Sequence, residues 1–107
     1  MGVDPGLLKG VAAFRRRVET SFPVDRLIVF GSRARGDARP DSDVDVLLVS
    51  PWFEGRSAVQ RTVPVRRAWD LDLSVDFACY APAEFEALRK RVGLVSVALA
   101  EGVEVAA

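Results

Sequence analysis

Near the start of the chain, Leu7, Val11, Phe14 and Val18 recur at the spacing of a single helix face. That period predicts an amphipathic helix over about Leu7 to Thr20, stopped by Ser21 and Pro23. Arg15, Arg16 and Arg17 fill the turns between and are expected to coat its exposed side. The pattern then changes. Arg26 to Phe30 is a short run of Leu, Ile and Val ending at Gly31, as a buried strand would be. Val44 to Ser50 predicts a second strand, closed by Pro51 because proline cannot donate to a ladder. Ser57 to Trp69 is weakly helical, with Pro64 expected to kink or divide it. Ser74 to Cys79 predicts a third strand. Pro82 then opens a helix whose Phe85, Leu88 and Val92 share a face until Gly93 interrupts it. Leu94 to Ala100 predicts another helix with Gly102 as a left-handed cap, leaving Val103 to Val105 as a short last strand. The fold class that follows is α/β in the α+β sense: a small mixed sheet with flanking helices, residues 1–107 forming one domain.

Composition narrows the chemistry. The formal net charge is zero, which argues against a strong sequence-independent grip on nucleic acid. No apolar run approaches the roughly 20 residues that span a bilayer, and no secretion signal opens the chain, so a cytoplasmic protein is expected. The single cysteine, Cys79, excludes an internal disulfide and is expected to pack as a small hydrophobe. Histidine is absent, so any catalysis falls to carboxylates, hydroxyls and arginines. Trp52 and Trp69 are expected to pack or to lie on a partner surface, and not to stack on bases.

Two aspartates at the mouth of an apolar strand need a reason to be there. Asp43 and Asp45 share one face of the strand while Val44, Val46 and Leu48 share the other. Two carboxylates repel by roughly 4 kcal/mol at about 4 Å and an effective dielectric near 20, so a positive partner is required for both to ionise. With oxygen donors alone, that partner is a hard cation, magnesium or manganese, whose remaining shell takes water and phosphate oxygens. A third acid would allow two ions to bridge a transferring phosphoryl group, and Asp76 in "SVDFA" and Asp72 in "LDL" are the candidates. Gly31 and Ser32, at the exit of the first strand, offer a freely bending backbone and a hydroxyl for phosphate oxygens, and Arg35 offers a fork. Arg33 and Arg39 are expected to be solvated loop charges. The competing reading makes Asp41, Ser42 and Asp43 ordinary turn and capping residues.

Taken in order, "GSRARG", "DSDVDVLLV" and "VDFACYAPAEF" resemble the minimal nucleotidyltransferases (MNT) of the DNA polymerase beta superfamily, over nearly the whole chain. The resemblance implies a palm-like nucleotidyltransferase fold. It implies that Gly31, Ser32 and Arg35 contact the triphosphate, that Asp43 and Asp45 bind two magnesium or manganese ions, and that Asp76 is the third ligand and the base. The helix start in "YAPAEF" places Asp76 ahead of Asp72 in that pattern. The implied reaction transfers a nucleoside monophosphate, AMP from ATP, to an acceptor hydroxyl. Minimal members resemble antitoxins paired with an all-helical HEPN protein, whose tyrosine is the implied acceptor. The alternatives are a non-catalytic antitoxin that neutralises its partner by binding, and a transferase acting on a small molecule such as an aminoglycoside, for which no acceptor-holding domain is apparent.

Overall fold

The computed structural model describes residues 2–106. Helix α1 spans Pro5–Val18; the Asp4 side chain caps it by accepting from Gly6 N–H at 3.1 Å, and Pro5 sits where no amide donor is needed. The four residues picked out by their spacing, Leu7, Val11, Phe14 and Val18, are all buried. Strands β1 (Arg26–Phe30), β2 (Val44–Val49), β3 (Val75–Tyr80) and β4 (Val103–Glu104) form one sheet in the order β3-β2-β1-β4. β1 pairs antiparallel with β2 and with β4, whereas β2 and β3 are parallel. The parallel pair needs a crossover, which a single 3-10 turn at Pro51–Phe53 and helix α3 (Ala58–Ala68) supply.

The two faces of the sheet are unequal. One carries Leu27, Val29, Val44, Val46, Leu48 and Val75 into the main core, shared with α1 and with Val65 of α3. Trp69 packs edge-on to Phe14 at 5.1 Å between centroids, and Trp52 stacks on Phe22 at 4.4 Å, so both indoles, partly buried, pack against the core. The other face carries Ile28, Leu47 and Val49 against α4 (Pro82–Leu88) and α5 (Leu94–Glu101), a smaller cluster with Phe85, Val95 and Ala98. The mixed sheet with flanking helices agrees with the fold class read from the sequence. Among the described residues no helix is long and apolar enough to cross a membrane.

Several local expectations are corrected. Pro64 does not divide α3, which runs through it as one element. A proline inside a helix costs about 3 kcal/mol. Here a reciprocal cap between Ser57 and Gln60, with Ser57 N–H donating at 2.8 Å and Gln60 N–H at 3.2 Å, and the buried Val65 act against that cost. Of the arginine triplet only Arg16 is exposed. Arg15 donates to Val105 O at 2.9 Å and Val24 O at 2.7 Å, and Arg17 donates to Ala68 O at 2.9 Å and to Asp70. Their guanidinium groups satisfy loop carbonyls around the core, which a helical wheel cannot reveal. Val92 lies beyond the end of α4, which stops at Leu88, and is fully exposed.

Gly102 is not left-handed; its φ of −79° and ψ of 165° are extended. Glycine is required there by proximity. A Cβ on Gly102 would stand 2.3 Å from Ala98 O and 2.4 Å from Ile28 Cγ2. Gly102→Ala is therefore expected to destabilise the fold by about 1–3 kcal/mol, the usual cost of overpacking, read as a lower urea midpoint. An unchanged midpoint would show that α5 can move off β1 freely.

Candidate functional site

The register of the strands assembles the acids. In the parallel pair, Asp45 stands opposite Asp76, and in the antiparallel pair Asp45 stands opposite Phe30, the last residue of β1. Adjacent strands lie about 4.8 Å apart, and side chains two residues apart share a face. Asp43, Asp45 and Asp76 therefore line one face at the ends of β2 and β3, beside the exit of β1. Asp72 lies in the bends before β3 begins and has no such register.

Asp45 is the half-buried member; Asp43 and Asp76 are exposed. Its pKa is raised from the ordinary 3.8, first by burial and then by repulsion from Asp76 and Asp43, with Arg35 acting in the opposite sense. Asp43 Oδ1 accepts from the Ser74 hydroxyl. That contact ties the first acid to the entrance of β3.

Gly31 bends the chain away from β1 at φ +75° and ψ −157°, a region essentially confined to glycine. Its lack of a side chain lets Asp45 come close: a Cβ there would lie 2.2 Å from Asp45 Oδ2. The glycine thus serves both the turn and the carboxylate. Ser32 begins the single turn α2 (Ser32–Arg35), closed by Gly36 in the left-handed region. Arg35 is exposed and donates to Asp37 Oδ2 at 3.2 Å and Glu101 Oε1 at 3.1 Å; its pKa is raised, chiefly by the hydrogen bond to Asp37.

Three residues around this site escaped the sequence. Arg33, expected to be solvated, donates to Ser42 O at 2.7 Å and Pro40 O at 3.3 Å, holding the loop that delivers Asp43. Arg39 is exposed, as expected. Ser74 is the second, through its bond to Asp43. Glu101, at the end of α5, accepts from Gly31 N–H at 3.2 Å as well as from Arg35. Its signal was an acid in a helix's last turn, where the dipole disfavours one. Cys79 is half-buried, and burial pushes its thiol up to about 12, away from the thiolate that nucleophilic attack needs.

The donor set suits a hard divalent cation: carboxylate oxygens only, on one face, with Asp45 destabilised in its charged form by burial and then by the other two. No three of the His, Cys, Asp and Glu side chains among the described residues already form an ion cage. An ion and the phosphates it brings would have to draw the acids in.

No curated protein matches this chain. It resembles, at a TM-score of 0.66 and 26% identity, a "putative nucleotidyltransferase" from Sulfolobus solfataricus solved by crystallography, over 92% of this chain and 78% of that one. The nucleotidyltransferase domain family matches residues 11–105, a span that includes both the glycine-serine turn and all three acids. A match over so much of the sequence, on the same fold, means that this chain belongs to the nucleotidyltransferase domain family.

Proposed function

We propose that the chain transfers AMP from ATP to a hydroxyl of a partner protein, a tyrosine of a HEPN-domain toxin, and acts as the MNT antitoxin of that pair. The observation that carries the enzymatic part is the register that sets Asp76 opposite Asp45, with Asp43 on the same face and Gly31 against it. Magnesium or manganese, as one or two ions, would be held by Asp43, Asp45 and Asp76. Such an ion supplies charge neutralisation and orientation of the triphosphate.

This chain's own residues account for the rest. Gly31 N–H, the Ser32 hydroxyl and Arg35 bind the phosphate tail. Asp76 takes the proton of the acceptor hydroxyl as its oxygen forms a bond to the α-phosphorus. The bond from that phosphorus to the bridging α,β-oxygen breaks, and pyrophosphate leaves with the electron pair. Positioning and charge supply most of the rate in phosphoryl transfer, so a site without histidine suffices.

The test is transfer of label from α-labelled ATP to a purified HEPN partner. Expected is a labelled partner with the native chain and none with Asp43→Asn or Asp45→Asn. Label persisting in both variants would remove the metal assignment. A second reading, a non-catalytic antitoxin that works by covering its partner, is favoured by the Ser74 hydrogen bond to Asp43 and by the open arrangement of the acids. It predicts full neutralisation of a co-expressed toxin by Asp43→Asn.

A further inference from the structure

Glu101 sits on the donors that the reading above assigns to the triphosphate. Its Oε1 accepts from Gly31 N–H at 3.2 Å and from Arg35 Nη1 at 3.1 Å. The chain around it gives no local reason for a carboxylate. It is the last residue of α5, where the unpaired carbonyls carry partial negative charge, and no basic residue lies in that turn. Glu101 also adds to the negative field that opposes ionisation of Asp45. The next residue, Gly102, brings the end of α5 so close to Ile28 and Ala98 that no Cβ fits there.

An acid at a helix C-terminus, across from an amide and a guanidinium, is explained by those two donors. We infer that Glu101 is a built-in anion that occupies the phosphate donors of Gly31 and Arg35 until a polyphosphate displaces it, and so sets nucleotide affinity from within the chain. The inference rests on the nucleotide reading of this site. The displaced contact is weak: the Arg35 and Glu101 side chains are 46% and 25% exposed, and exposed ion pairs contribute little. A polyphosphate brings several charged oxygens to the same fork and outcompetes a single carboxylate.

The test is calorimetric titration of native protein, Glu101→Gln and Glu101→Asp with two probes in magnesium: α,β-methylene ATP and inorganic tripolyphosphate. Glu101→Gln is expected to tighten both by about twofold to fivefold, the free-energy range of an exposed ion pair. Glu101→Asp, charged but one methylene shorter, is expected to fall between. Thermal melts of each variant monitor folding; a purely structural glutamate would lower stability and affinity together and cannot produce a gain in affinity. Unchanged or weaker binding by both variants, with the native protein binding normally, would overturn the inference and leave the nucleotide site standing. Failure of all three proteins to bind either probe would remove both.

Discussion

Asp45→Asn is expected to raise the melting temperature of the metal-free protein while lowering nucleotide transfer about a thousandfold, the order seen when one preorganised charge-stabilising group is lost. Both effects have one origin. The folded chain raises the pKa of Asp45 above its ordinary 3.8 through burial and through Asp76 and Asp43. A raised folded-state value means that the group's contribution to stability is fully present below about 3.8 and is lost as pH rises through the folded value. At neutral pH the ionised side chain therefore works against the fold. Asparagine keeps the shape and removes the charge. The gain should be about 0.5–2 kcal/mol, the range of optimised surface charges, or several degrees for a domain of this size. Melts at pH 3 and pH 7 in a chelator should show it nearly absent at the lower pH and present at the higher. Saturating magnesium should narrow the difference by stabilising the native protein alone. A variant no more stable than native at pH 7 would mean that the three acids do not strain one another.

Gly31→Ala carries the other large effect. The backbone at φ +75° and ψ −157° costs a non-glycine residue about 1–3 kcal/mol by itself. The new methyl would also stand 2.2 Å from Asp45 Oδ2, so either that carboxylate or the turn must shift. The expected result is a loss of about 2–4 kcal/mol in a denaturant melt, at the upper end of what single substitutions cost. Labelled transfer should fall to background in the fraction still folded. A Gly31→Ala protein with native stability and activity would show that the turn is free to relax and that its contact with Asp45 is incidental.

These two residues also show what a sequence discloses. Asp43, Asp45 and Asp76 were legible as candidates because acids at the mouth of or inside apolar strands break a local rule, and Gly31 because it ends one. The four buried positions of α1 and the bounds of β1 were legible because period and composition are local properties. Arg15, Arg17, Arg33 and Ser74 were not, because their partners lie in loops, at strand entrances or across the fold, and hydrogen bonds to distant carbonyls or carboxylates leave no periodic trace. Gly102 was picked out for the wrong cause. A glycine demanded by a neighbour's approach and one demanded by φ look identical until the neighbour is placed. Pro64 leaves α3 undivided, since capping and packing elsewhere in a helix can override a local cost.

The in-register pairing of β2 with β3 has a consequence for fidelity of assembly. Asp76 is flanked by Val75 and Phe77, both packed into the main core. A slip of one residue would turn the aspartate inward among hydrocarbon and push the aromatic ring out among the acids, since strand faces alternate. An unpaired carboxylate buried in that way is penalised heavily. The greasy neighbours thus proofread the alignment, and a chain that closes its crossover correctly has, by the same event, set its third acid where the chemistry would take place.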